Sequence, residues 1–171
     1  MNPPAAEAPV AIRRAESRDT EAILTIYNVA VVETTVTFDL VPRSHEEQID
    51  WINDHSGSYP AVVAVDGADT VVGFGSLSAY RDRPAYTTTV EDSVYVEESV
   101  RGQKIGSLIL DELIRLGVDH GFHSVIARIV GGHEASIALH RAHGFELVGT
   151  EREVGRKFNK WLDIVLMQRI L

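Results

Sequence analysis

Cysteine is missing altogether from this 171-residue chain. Its absence excludes disulfides, thiolate metal sites and a cysteine nucleophile, and it suits a reducing compartment, so a cytoplasmic location is expected. Positive charge is scarce as well: 16 Lys and Arg stand against 25 Asp and Glu, a formal net charge of −9. A chain so acidic has little hold on a phosphate backbone, so nucleic acid is not an expected partner. Long apolar runs are lacking too. None approaches the roughly 20 residues of a membrane span, and no membrane partner is expected. The opening M-N-P-P-A-A-E-A-P has neither a basic leader nor an apolar stretch, so no secretion signal is expected. With Pro3, Pro4 and Pro9 it reads as a flexible tail over residues 1–9, leaving residues 10–171 as one domain.

What is present is a regular alternation of strand and helix patterns. Val10 to Ala15 reads as a first strand, and Thr20 to Val31 carries Ile23, Leu24, Ile26, Tyr27 and Ala30 at helical spacing. The β-branched stretch Thr34 to Pro42 reads as a loop with an extended segment. Ser44 with Glu47 fits a capping box that opens a helix to about Asp54. Ala61 to Val65 and Thr70 to Leu77 flank a turn at Asp66 to Asp69, as in a hairpin. A polar segment, Ser78 to Tyr86, precedes a strand over Thr87 to Val96. Helices over Lys104 to Val118 and Glu134 to His143 bracket a buried-looking strand, Ser124 to Val130. Strands over Glu146 to Val154 and Trp161 to Arg169 flank the loop G-R-K-F-N-K. The order predicts an α/β (α+β) fold: a mixed central sheet of about seven strands with helices on both faces.

The segment R-G-Q-K-I-G-S, Arg101 to Ser107, lies between the strand-like V-Y-V of Val94 to Val96 and a helix. A tight polar turn there gathers backbone N–H groups at a helix N-terminus. First-turn amides lack intrahelical partners and the helix dipole adds positive charge, so the row suits a phosphate group. Gly102 and Gly106 let backbone approach a ligand without a Cβ in the way. Five histidines, His120, His123, His133, His140 and His143, lie close in sequence. They form no clear three-ligand pattern and no cysteine supports them, so no metal is expected.

With these residues in place the chain resembles the GCN5-related N-acetyltransferases (GNAT), which move acetyl from acetyl-CoA to an amine. Arg101, Gly106 and Ser107 match the superfamily's Q/R-x-x-G-x-G/A pyrophosphate loop at three positions. More narrowly, it is similar to the phosphinothricin and methionine sulfoximine acetyltransferases. T-V-T-F (Thr35–Phe38), V-E-D-S-V-Y-V (Val90–Val96), S-I-A-L-H (Ser136–His140), H-G-F (His143–Phe145) and G-R-K-F-N-K-W-L-D-I-V-L-M-Q (Gly155–Gln168) carry that likeness. Two positions depart from the pattern. Lys104 stands where the loop has its first glycine, and His133 stands where an asparagine usually bonds the pantetheine arm.

The resemblance implies an acyltransferase with acetyl-CoA as co-substrate, a small-molecule amine acceptor and a homodimer. It places acetyl-CoA on Val94, Tyr95 and Val96, whose backbone would pair with pantetheine and aim an amide at the thioester oxygen. It adds Arg101, Gly102, Gln103, Lys104, Ile105, Gly106, Ser107 and His133. Glu91 takes the role of general base, drawing a proton from the acceptor ammonium. On spacing alone the plainer reading, a solvated carboxylate beside Asp92, is favoured, and the likeness reverses it. His140 sits where many members carry the tyrosine that protonates the leaving thiolate; a helix histidine bonded to a carbonyl is the rival reading. His143 reads as a cation at a helix C-terminus. Arg81, Asp82 and Arg83 lie in the substrate-holding segment, where a guanidinium fork suits a carboxylate, although a solvated loop pair reads as well. Phe38, Asp92 and Ser93 complete the expected substrate site, and Phe38 and Tyr86 could equally be packing. Two other functions stay open: acetylation of a protein or peptide, and CoA binding without catalysis.

Overall fold

The computed structural model describes residues 9–171, so the tail expected at residues 1–9 lies, apart from Pro9, outside the described residues. In chain order the elements are β1 (Ala11–Arg14), α1 (Thr20–Glu33), α2 (His45–Asp54), β2 (Ala61–Val65), β3 (Val71–Ala79) and β4 (Thr89–Val96). Then follow α3 (Ile105–Asp119), β5 (Ser124–Val130), α4 (Glu134–Ala142), β6 (Glu146–Lys157) and β7 (Lys160–Ile170). The seven strands form one sheet in the order β1-β2-β3-β4-β5-β7-β6. Neighbours are antiparallel except β4 and β5, which run parallel. This is the mixed sheet with helices on both faces that the sequence predicts.

Each face has its own core. Beneath α3, residues Ile105, Ile109, Leu110 and Leu113 meet Val62, Leu77, Val90, Val125, Ala127 and Ile129 of the sheet. On the opposite face, Ile23, Tyr27 and Val31 of α1 and Ile52 of α2 cover Val63 and Phe74. These helices overlie the half of the sheet around β2 to β4, with α1 and α2 in mutual contact. Gly75 shows how closely α3 approaches: a Cβ there would stand 2.5 Å from Ile109 and 2.8 Å from the Ser93 carbonyl.

Local signals hold in detail. Ser44 accepts from the Glu47 amide at 3.2 Å while Glu47 returns a bond to the Ser44 amide at 2.7 Å, completing the capping box. Most boundaries move by a residue or two, and two of the differences have a backbone cause. The six-residue loop G-R-K-F-N-K is instead two long strands joined by Phe158 and Asn159 alone, with φ of 47° and 63°. Two successive positive φ values make a turn whose twist matches that of the strands it joins. Lys104 is also not the first helical residue of α3. It is the N-cap, in the left-handed conformation at φ 63°.

Candidate active site

β4 and β5 pair for only three residues: Thr89 with Ser124, Val90 with Val125 and Glu91 with Ile126. β4 then runs on to Val96 and β5 to Val130. Past Glu91 the two strands part, leaving a wedge in the sheet. On its other edge β4 stays paired with β3 as far as Val96. The edge facing the wedge therefore offers free N–H and C=O groups, onto which an extended, amide-bearing ligand can add as a strand.

The turn after β4 ends at the mouth of the wedge. Its Arg101 Nε donates to the Val96 carbonyl at 3.3 Å, closing the turn onto the strand. Gly102 has φ 83° and open space where a Cβ would be. The first bond of α3 joins the Leu108 amide to the Lys104 carbonyl, so the amides of Ile105, Gly106 and Ser107 precede the helical ladder. Gly106 is small for another reason. A Cβ would lie 3.3 Å from Leu139 and 3.9 Å from both Val94 and Val96, so the glycine seats the helix end against β4 and α4. Lys104 holds the left-handed backbone shape that glycine favours, at a strain of about 1–2 kcal/mol. The apolar face of α3 outweighs that cost, since each fully buried Leu or Ile contributes about 1.5–3 kcal/mol. His133 stands at the surface as the N-cap of α4. Partial burial first, then the charges of Arg101 and His140, hold its ring below its ordinary pKa, which favours the neutral imidazole, able to donate or accept.

Alternation along β4 divides the other predicted residues between the faces. Val94 and Val96 turn toward α3 and contribute side-chain packing. Tyr95 turns toward α1, stacked on Phe74 at 5.0 Å and edge-on to Tyr27 at 5.4 Å. Only its backbone is left for a ligand. Asp92 faces α4, where its Oδ2 lies 2.9 Å from His140 Nε2, both side chains buried. The other ring nitrogen of His140 meets the Ser136 carbonyl at 2.7 Å. Burial opposes charge on this ring, but the Asp92 hydrogen bond and charge prevail and raise its pKa. Asp92 and His140 thus lie together under the sheet, away from the solvent side where Glu91 stands.

Glu91 is half-buried at the apex of the wedge, opposite Ser78 of β3. Burial raises its pKa first. Asp92 and Glu151 push the same way, and Arg128 alone opposes them. Arg128 and Glu151, missed in the sequence, form an ion pair of 2.9 Å beside it. One signal was available: Arg128 is the lone charge in the apolar strand S-V-I-A-R-I-V.

Arg81, Asp82 and Arg83 are exposed on the connection that leaves β3 beside Glu91's end of β4. Arg81 lies over the rings of Tyr80 and Tyr86, at 5.0 and 5.9 Å from their centroids. Phe38 is far along the chain but close in space to the β6–β7 hairpin. A Cβ on Gly155 would stand 2.2 Å from its ring. Lys157 Nζ reaches the Thr37 carbonyl at 2.9 Å, fastening the same loop. His143 ends α4 with Nε2 3.3 Å from Asp111. A recess of about 390 Å³ past the end of β5, walled in part by Gly131, Gly132, Trp161 and Asp163, does not include Glu91. Among the described residues no group of three His, Asp or Glu side chains is placed to hold a metal ion.

Residues 12–166 match the family model described as "Acetyltransferase (GNAT) domain". The chain belongs to the GNAT acetyltransferase family. It is therefore an acyltransferase that uses acetyl-CoA, and the wedge, the free β4 edge and the α3 amides fit that molecule's pantetheine and pyrophosphate. A relative from Pseudomonas aeruginosa, L-methionine sulfoximine/L-methionine sulfone acetyltransferase, is 39% identical over 92% of this chain and 92% of its own length. A GNAT superfamily phosphinothricin acetyltransferase from Sinorhizobium meliloti, solved in complex with AcCoA, is 40% identical. It superposes with a TM-score of 0.92, covering 95% of this chain and 88% of that one. A ribosomal-protein-alanine N-acetyltransferase from Brucella melitensis is also 40% identical, with a TM-score of 0.91 over 94% and 99% of the two chains. No helix among the described residues is long and apolar enough to cross a membrane.

Proposed function

We propose that this GNAT enzyme acetylates the α-amino group of an amino-acid analogue of the methionine sulfoximine or phosphinothricin kind, with Glu91 as base. The observation that carries the reading is the position of Glu91 at the point where β4 and β5 separate. Bound acetyl-CoA supplies an activated thioester carbonyl. The amides of the Arg101–Ser107 turn and the first turn of α3 hold its phosphates, and the free β4 edge from Ser93 to Val96 orients its arm. A β4 amide at the apex donates to the oxygen that gains charge. Glu91, in its carboxylate form, takes the proton from the acceptor ammonium directly or through water, and its burial brings its pKa toward working pH. Arg81 and Arg83 are assigned to the acceptor's anionic groups, and Phe38, held at Gly155, to one wall of the pocket.

His140 is assigned the proton that meets the leaving thiolate. Its pKa is raised by Asp92, which favours the form that can give a proton, but its ring must first release Asp92 or the Ser136 carbonyl. We further infer a homodimer: Leu147, Val148, Val154 and Trp161 of the terminal β6–β7 hairpin are all more than half exposed. Removal of toxic amino-acid analogues in the cytoplasm is the role this reading gives.

The test is acetyl-CoA-dependent thiol release with methionine sulfoximine, methionine sulfone, phosphinothricin and free amino acids, comparing wild type with Glu91→Gln. Turnover of an analogue, lost in the variant, is expected. Failure across the whole panel, with acetylation of a peptide N-terminus instead, would turn the reading to a protein acceptor, which the likeness to the Brucella enzyme favours.

A further inference from the structure

Glu91 cannot act as a base while protonated, and its surroundings mostly favour the proton. On β4 itself the neighbour is Asp92, on the opposite face and bonded to His140. From β3 comes Ser78, whose hydroxyl is 2.9 Å from Nε2 of His55, a ring that burial holds below its ordinary pKa. From β6 comes Glu151, a second negative charge. From β5 comes Arg128, the only cation of the set.

The register explains why Arg128 faces Glu91. Glu91 pairs with Ile126, so both point to one face of the sheet, and Arg128, two residues on, points the same way. β7 pairs Leu166 with Arg128 and Ile164 with Glu151, which brings Glu151 to that face as well. Arg128 spans the intervening strand to meet Glu151 at 2.9 Å. One cation therefore shares a face of the sheet with two carboxylates, ion-paired to Glu151 and close enough to Glu91 for its charge to act on it.

We propose that Arg128 is a positioning residue of the acetyl-transfer site, whose guanidinium offsets the burial of Glu91 and keeps it a carboxylate, with Glu151 fixing the guanidinium in place and moderating its charge. This rests on Glu91 being the base. It makes a signed prediction that a packing role does not. Removing Arg128 takes away the cation and frees the negative charge of Glu151, and both changes favour protonated Glu91. Removing the charge of Glu151 leaves Arg128 to act on Glu91 alone, with the opposite result.

The experiment uses the full chain with an amino-acid analogue that it acetylates. The pH profile of kcat/KM is recorded alongside a carbon-13 NMR titration of the glutamate carboxyls, with the Glu91 signal assigned through Glu91→Gln. In Arg128→Met the Glu91 titration and the acid limb both move to higher pH, by on the order of half a unit to one unit. In Glu151→Gln both move to lower pH, and Arg128→Lys restores much of the wild-type profile. At high pH the Arg128→Met enzyme regains near wild-type turnover. A Glu91 titration unmoved by Arg128→Met overturns the proposal whatever the kinetics. A titration that moves while the acid limb stays put instead removes Glu91 as base, and Arg128's part in the reaction with it.

Discussion

Glu91 and Asp92 are adjacent in the chain and opposite in circumstance. Asp92 lies under α4 with a side chain 1% exposed, 2.9 Å from a histidine whose pKa it raises against the effect of burial. Glu91 faces the open half of the sheet, and its charge is answered only across strands, by Arg128. Asp92 has a settled partner and holds two elements together. Glu91 sits where burial raises its pKa, the direction expected of a carboxylate that is to take up a proton. On the proposed reading, one step along a strand separates a carboxylate held inside the fold by His140 from the one assigned as base.

The largest effect should come from breaking the chemical member. Glu91→Gln keeps shape and burial but cannot take a proton, so kcat should fall roughly 100- to 10,000-fold. Its melting temperature should not fall, because a half-buried charge has been removed. Wild-type turnover in this variant would erase the contrast. Asp92→Ala should do the reverse, with stability as its main readout. It leaves the buried His140 ring without its partner, a loss of about 3–5 kcal/mol if the ring is charged as the proposal has it. In a chain of this length that lowers the melting temperature on the order of 10 °C. Activity per folded molecule should fall much less than in Glu91→Gln.

The same pair gives stability a pH dependence of known sign. The pKa of His140 is raised in the fold, so its contribution is fully present below the ordinary histidine value and lost as pH rises through the folded one. Wild type should therefore exceed His140→Gln in melting temperature by more at pH 6 than at pH 9. A margin that grows with pH would mean the ring is buried neutral.

The contrast between the two carboxylates was only half legible in the sequence. The strand-turn-helix at Arg101–Ser107 could be read because strand, glycines and helix are contiguous there, and the capping box at Ser44 because its bonds are local. Alternation alone would have placed Glu91 and Asp92 on opposite faces, but not what awaited each one. The partner of Asp92 is 48 residues away. The Arg128–Glu151 pair needed the strand order β4-β5-β7-β6, a long-range pairing that no local pattern encodes. Lys104 misled for a different reason: helical propensity places it inside α3, while the turn requires a left-handed residue before the helix starts.

Between the two extremes stands the loop that carries Phe38. Gly155→Val should expel the Phe38 ring, since even a Cβ would stand 2.2 Å from it. Steady-state kinetics should show the acceptor KM rising about tenfold with little change in the KM for acetyl-CoA. The stability cost should be about 1–3 kcal/mol, the usual range for an overpacked site. An unchanged acceptor KM would remove Phe38 from the pocket and leave it as packing.

The smallest effect tests the contrast at another place, the turn before α3. Lys104 holds a left-handed φ of 63° that glycine adopts without strain. If its ammonium serves only the fold, as Asp92 does, nothing is lost by replacing it. Lys104→Gly should then gain stability, by about 0.4–1 kcal/mol at most because the unfolded chain also becomes freer. If instead the strain is tolerated for the charge, the same variant should bind acetyl-CoA a few-fold more weakly, as loss of one exposed cation near phosphate implies. We expect both results together, a higher melting temperature and a weaker cofactor, with the affinity loss shrinking as salt is raised. A gain in stability with affinity intact would place Lys104 with neither carboxylate, as a strained residue that the α3 core carries at no benefit to the site.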